Sequence, residues 1–225
     1  IAGDDAIALK SSRWEVGNDK ACMNVTVIGC KLKSSYSGIR LGWEGDNPIC
    51  NCIFSNNVIY DTYLGSSILV IVKKEDGINE GTPIHDILFT DMIVNAFHTF
   101  QIQQGKISPG KMIGFIDRVQ IRNILAVAKA GSYIGGTREN PIRGLEVSNL
   151  NLQMSEDSEN YSENAAWIPP DSDAFNPKGI YALPWGITVN HIENLVWKNF
   201  SFSSTQKEKW LKGFQSYNIK NEKLS

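Results

Sequence analysis

The sequence predicts an all-β fold, a solenoid in which short strands stack in parallel, pass upon pass. Three observations predict it. A short alternating phrase recurs six times, its copies lie 26 to 35 residues apart with one gap of 50, and helical periodicity is nearly absent from the 225 residues. Repeats at such spacings mark an architecture of stacked units that bury a shared core.

Each phrase runs polar, apolar, polar, apolar, then a polar pair ending mostly in Asn or Asp. The copies are Asn24-Val-Thr-Val-Ile-Gly29, Asn51-Cys-Ile-Phe-Ser-Asn56, Asp86-Ile-Leu-Phe-Thr-Asp91, Arg118-Val-Gln-Ile-Arg-Asn123, Gly144-Leu-Glu-Val-Ser-Asn149 and Asn194-Leu-Val-Trp-Lys-Asn199. Alternation of this kind gives a strand with one buried face, and the trailing Asn or Asp is a turn residue. In register, Val25/Val27, Cys52/Phe54, Ile87/Phe89, Val119/Ile121, Leu145/Val147 and Leu195/Trp197 take equivalent inward positions.

Further apolar stretches fall between the phrases, among them Gly38-Ile-Arg-Leu-Gly42, Ser67-Ile-Leu-Val-Ile-Val72 and Phe100-Gln-Ile-Gln103. Each rung therefore holds two or three strands joined by turns. Gly81-Thr-Pro83 and Ser108-Pro-Gly110 lie between strands, where Pro and Gly break pairing without harm. Only 205–217 has a pattern compatible with a helical turn or two. The stretch 155–186 is acidic at first, then rich in Pro, Asn and aromatics. A loop of that length is read as an insertion leaving one edge of the stack, either a wall or lid over a groove or a structural flap.

The chain fits one solenoid domain spanning 1–225. Its net charge of -2 favours neither a nucleic-acid partner nor a polybasic membrane module. No apolar run approaches the ~18 residues of a membrane-spanning helix. The chain opens on Ile1-Ala2-Gly3-Asp4-Asp5, already inside patterned sequence, so a fragment of a longer protein is expected. Cys22, Cys30, Cys50 and Cys52 lack metal-ligand spacing, and His85, His98 and His191 are scattered. The cysteines read as small buried hydrophobes, with room for one disulfide, and no metal or other cofactor is expected. The sequons at Asn24, Asn160 and Asn199 say nothing without knowledge of the source.

The segment with most chemistry is Gly3-Asp4-Asp5-Ala6-Ile7-Ala8-Leu9-Lys10. Adjacent carboxylates repel and raise one pKa, which suits inverting glycoside hydrolysis: one carboxyl donates a proton to the leaving oxygen and an ionised one activates water. The same two residues also fit a solvated turn. Arg40 alternates with Ile39 and Leu41 and so points away from their face. Its guanidinium either binds a uronate carboxylate in bidentate fashion or neutralises the Asp pair. Lys10 and Arg13 follow the pair, Trp43 and Glu44 follow Arg40, and Trp14, Tyr36 and Trp43 either stack on sugars or pack at rung edges. His98, between Phe97 and Phe100, reads as structural. Gln101 and Gln103 share a face that can reach a groove. Glu139 and the Lys-rich tail 207–223 read as solvated.

The Gly-Asp-Asp-Ala-Ile-Ala-Leu-Lys segment resembles the Gly-Asp-Asp-Cys-Ile-Ala-Ile segment of glycoside hydrolase family 28, the polygalacturonase family. Asn24-Val-Thr-Val-Ile-Gly-Cys30 and Ser37-Gly-Ile-Arg-Leu-Gly42 resemble that family's next rung, and Gly135-Gly-Thr-Arg-Glu-Asn-Pro-Ile142 resembles C-terminal rungs of its bacterial members. The resemblance implies a right-handed parallel β-helix, here the C-terminal portion of a larger one. It also implies Asp4 as general acid and Asp5 as one of the pair activating water. The residues around the pair, Lys10, Arg13, Tyr36, Arg40, Trp43 and Glu44, are read on their own chemistry as a replacement for that family's substrate-binding set. Two departures stand out: Tyr36-Ser37-Gly38 occupies the place of the family's Gly-His-Gly, and Leu64-Gly-Ser-Ser-Ile-Leu69 replaces its Arg-Ile-Lys clamp.

The expectation is a secreted or periplasmic, monomeric hydrolase of an acidic, uronate-containing polysaccharide. A carbohydrate-binding β-helix without turnover, of adhesin or tailspike type, and a polysaccharide lyase remain alternatives.

Overall fold

The computed structural model describes residues 1–18, 20–72, 81–106, 114–158, 185–207, 210 and 212–225. These residues are all-β apart from one four-residue helix, α1 (Arg13–Val16), and every strand pairing among them is parallel. None of their helices is long and apolar enough to cross a membrane.

Pairing falls into three columns. The first contains β1 (Ile7–Ser11), β5 (Ser37–Gly45), the later parts of β7 (Val58–Val72) and β8 (Pro83–Lys106), β10 (Ser132–Gly135), and the beginnings of β12 (Trp185–Ser204) and β13 (Lys212–Leu224). The second contains β2 (Cys22–Met23), β3 (Thr26–Ile28), β6 (Ile49–Ser55), the beginnings of β8, β9 (Phe115–Ala128) and β11 (Ile142–Met154), and parts of β12 and β13. The third starts at β4 (Lys31–Leu32) and continues through β7, β8, β9, β11 and β12.

The alternating phrases form the second column in the expected register. Cys52, Ile87, Val119, Leu145 and Leu195 align and are buried, as are Phe54, Phe89, Ile121, Val147 and Trp197. Val25 and Val27, on the first pass, are partly buried against the same core. The rings of Phe54 and Phe89 stack 5.1 Å apart. Each side chain fully withdrawn from water contributes about 1.5–3 kcal/mol, so the in-register apolar ladder is the main stabilising term. In the first column Leu9, Leu41, Ile68, Ile102, Ile134 and Val189 form a like ladder.

Both ends of every phrase take the left-handed conformation. The leading residues Asn24, Asn51, Asp86, Arg118, Gly144 and Asn194 and the trailing residues Gly29, Asn56, Asp91, Asn123, Asn149 and Asn199 all have φ between 48° and 68°. Asn, Asp and Gly tolerate this region best, which explains the composition of the two positions. The trailing residues are also linked side chain to side chain. Asn123 Nδ2 donates to Asp91 Oδ1 (2.9 Å), Asn149 Nδ2 to Asn123 Oδ1 (2.8 Å) and Asn199 Nδ2 to Asn149 Oδ1 (3.0 Å).

Where the third column turns into the first, the passes approach too closely for side chains. A Cβ on Gly38 would lie 2.8 Å from the Gly65 carbonyl oxygen, and one on Gly65 would lie 2.6 Å from that of Thr99. This corner brings the starts of β1 and β5 and the middle of β7 together.

Two expectations change. From residue 212 on, the stretch 205–217 is strand and not helix: β13 begins at Lys212 and pairs Phe214 with Ile187, Ser216 with Val189 and Ile219 with Ile192. Inward Phe214 and Ile219 complete one more pass, and this burial outweighs weak helical propensity. The four cysteines are free, with Cys50 and Cys52 buried, so the room left for a disulfide goes unused. The insertion at 155–186 lies outside the described residues from 159 to 184, as does Ser108-Pro-Gly110.

Candidate functional site

The Asp pair sits where the chain enters the first column. The Ala6 N–H donates to the Ser37 carbonyl oxygen (2.8 Å), and Ile7, Ala8 and Leu9 then pair with Ile39, Arg40 and Leu41. This register sets Asp5 beside Arg40. Asp5 Oδ2 lies 2.7 Å from Arg40 Nε, with the two side chains only 9% and 5% exposed. The angle at Nε is not that of a straight hydrogen bond, so the contact is chiefly an ion pair, and Asp5 Oδ1 is buried without a hydrogen-bond partner. Asp4 is exposed.

Arg40 is held from several sides. Its Nη2 donates to Ser37 Oγ (2.9 Å), and Ser37 Oγ lies 3.4 Å from Ser67 Oγ on the next pass. The guanidinium carbon stands 4.7 Å from the centre of the Tyr36 ring and 5.9 Å from that of Trp43. Gly42 and Trp43 both have positive φ, 79° and 73°, and this bend turns the Trp43 ring back toward Arg40. Cation–π contacts add about 0.5–1 kcal/mol each where exposed and about 2 kcal/mol where the cation is desolvated.

Tyr36 is 40% exposed, but its ring stacks on Tyr63 (5.9 Å), and Tyr63 stacks in turn on Phe97 (5.4 Å). Tyr63 thus has a ring on either side, and this ladder presents edges to solvent more than faces. His98 meets Tyr63 and Phe97 edge-on, and its Nδ1–H donates to the Gly131 carbonyl oxygen (2.6 Å). Burial holds its pKa down at about 4, which makes it neutral near pH 7.

The remaining predicted residues lie around this centre without joining it. Lys10 Nζ pairs with Glu44 Oε2 at 2.7 Å on the surface, with 40% and 56% exposure. Such a pair contributes little in water. The backbone N–H of Arg13, at the start of α1, donates to Asp46 Oδ1 (2.8 Å). Trp14 is 79% exposed on the same helix.

Ser37, Ser67 and Tyr63 were not singled out by the sequence. Their signal is the register: Ser67 aligns with Arg40 and Leu64 with Ser37. The outward column then continues through Gln101, Tyr133 and Thr188, all buried, with Gln103 and Asn190 beside it. Burial pushes the Tyr133 hydroxyl up to about 12, against an opposing hydrogen bond with Asn190. The arrangement is a strip of buried polar side chains leading from a carboxylate–guanidinium pair. Asp4 and Asp5 stand at one end of this strip, Asp4 exposed and Asp5 paired with Arg40.

Among the described residues no group of three or more His, Cys, Asp or Glu side chains is placed to hold a metal ion. No protein-family model matches the chain, and no curated protein shows significant similarity to it.

Proposed function

We propose that the parallel stack is a right-handed β-helix of the polygalacturonase type, and that the chain hydrolyses a uronate-containing, pectin-like polysaccharide with inversion. One observation carries this reading. Asp5 is a buried carboxylate with one oxygen fixed by Arg40 and the other unpartnered, directly after an exposed Asp4. In the proposed reaction Asp4 gives its proton to the leaving glycosidic oxygen, while the Asp5 carboxylate accepts a proton from the attacking water. Arg40, engaged by Asp5 and Ser37, orients the base. Lys10 is the exposed cation next to this centre and exchanges Glu44 for a uronate carboxylate. Such a substrate lies outside the cytoplasm, in keeping with a secreted or periplasmic enzyme.

The test follows reducing ends and product anomers by NMR on pectic polysaccharides. Asp4→Asn and Asp5→Asn should each lower turnover by about two to four orders of magnitude. Undiminished turnover in either variant, or product of retained configuration, overturns the assignment.

The Asp5–Arg40 pair also favours a second reading, a carbohydrate-binding β-helix without turnover. A buried ion pair can fix local structure and leave Asp5 no chemical task. Saturable binding of the same polysaccharides with no new reducing ends would select it.

A further inference from the structure

The second column bends where each phrase takes its leading left-handed residue, and a groove of about 480 Å³ crosses five passes there. Its floor is Asn51, Asp86, Arg118, Gly144 and Asn194, all with positive φ. Ile53, Leu88, Gln120, Glu146 and Val196 form a wall. The volume falls within the range of small-ligand sites, roughly 300–1,000 Å³.

Gly144, on the fourth of these passes, opens the floor. The other four passes carry a side chain at its position, and a Cβ on Gly144 would meet nothing nearer than 3.5 Å. Packing therefore does not demand glycine here, and its φ of 68° is close to the 62° that Asn194 adopts on the neighbouring pass. The missing side chain leaves a notch between Arg118 and Asn194.

Charges around the notch are paired among themselves. Arg118 holds Asp86 through Nε to Oδ1 (2.6 Å) and Nη2 to Oδ2 (2.8 Å), and it also contacts Asp117. Glu146 Oε2 accepts from Arg122 Nη2 at 3.2 Å. What remains toward the groove is a set of planar polar groups, the amides of Asn51, Gln120 and Asn194, beside aliphatic Leu88 and Val196. Asn194 already accepts a hydrogen bond from Asn221 Nδ2 (3.0 Å), which orients its own NH₂ group. An anionic ligand finds no uncompensated cation there. A polyhydroxylated neutral one finds donors and acceptors for its hydroxyls and apolar surface for its C–H faces.

We propose that this groove binds a neutral oligosaccharide segment, at a site separate from the Asp5–Arg40 centre and independent of whether that centre is catalytic. The test titrates isotope-labelled full chain with galacto-, xylo- and cello-oligosaccharides and follows the side-chain amides of Asn51, Gln120 and Asn194 by NMR. At least one series should shift these amides saturably. Gly144→Asn, which keeps a residue suited to φ > 0, and Gln120→Ala should each weaken that binding by about tenfold, the scale of one or two lost hydrogen bonds. Neither should alter turnover or binding of uronic polysaccharides. Absence of amide shifts with all three series, or equal affinity in both variants, overturns the proposal.

Discussion

Asp5 Oδ2 and Arg40 Nε meet at 2.7 Å across two adjacent passes of the chain, with both side chains withdrawn from water. The pairing follows from strand register, since Ala8 aligns with Arg40 and the residues just before β1 fall beside the start of β5.

Breaking this pair from one side should be costly. Arg40→Met leaves the Asp5 carboxylate buried and uncompensated, and a loss of about 3–5 kcal/mol is expected. Asp5→Leu combined with Arg40→Met should recover most of it. Urea unfolding of both single variants and the double variant measures the coupling, and additive losses would show that the two groups do not interact.

At the glycine corner, Gly65→Ala would set a methyl 2.6 Å from the Thr99 carbonyl oxygen. Backbone cannot yield as a flexible side chain does, so a loss of about 1–3 kcal/mol is expected. Gly3→Ala, where a Cβ meets nothing within 4 Å, is the control and should unfold like the parent chain.

The amide ladder separates conformational from hydrogen-bonding contributions. Asn149 donates to Asn123 and accepts from Asn199 at a φ of 54°. Asn149→Gly removes both bonds and keeps the conformation easy, whereas Asn149→Ala removes them and adds left-handed strain of about 1 kcal/mol or more. Thermal unfolding should therefore rank parent above Gly and Gly above Ala.

His98 makes stability depend on pH. Its folded pKa is about 4, against about 6.5 for an unperturbed histidine. Between these values the unfolded chain binds a proton that the folded chain refuses. Stability from this group is intact above about pH 6.5 and falls progressively as pH drops toward 4, by up to ~3 kcal/mol. Chemical denaturation at pH 7.5 and pH 5 measures the slope, and His98→Asn should flatten it. A slope unchanged by that substitution would assign the dependence to other groups.

Asp86 acts in the same direction at lower pH. Hydrogen bonds from Arg118 and His85 hold its carboxyl well below the usual carboxylate range. Its contribution is present above the unfolded pKa and is lost as pH falls further toward the folded one. Arg118→Gln should shift acid unfolding to higher pH, as read by circular dichroism during acid titration.

Much of this architecture is written in the sequence because one local rule repeats. Each phrase needs inward side chains at its second and fourth residues and a left-handed residue at its end, and few residue types satisfy the latter, so Asn and Asp expose the period. Arg40 could be placed on the outward face for the same reason. The partner it takes could not be read, because choosing between Asp5 and a substrate depends on how far one pass is displaced from the next. Ser37, Ser67 and Tyr63 stayed hidden on that account: each gains its role from a residue on another pass. Lys212–Leu224 misled because its charged residues mask an alternation that becomes decisive only when β12 lies beneath it.

The left-handed residues at both ends of each phrase also fix which parts of the chain are free to change length. A residue gained or lost inside a phrase would turn the following side chains onto the wrong face and shift every partner above and below. At the connections between paired strands no such rule applies, and phrase spacings from 26 to 50 residues coexist in one stack. New segments can therefore enter between Met154 and Trp185, or at other connections, while the ladder stays in step. The fold behaves as a ruler with fixed divisions and replaceable attachments, and it can acquire new surface chemistry without rebuilding its interior.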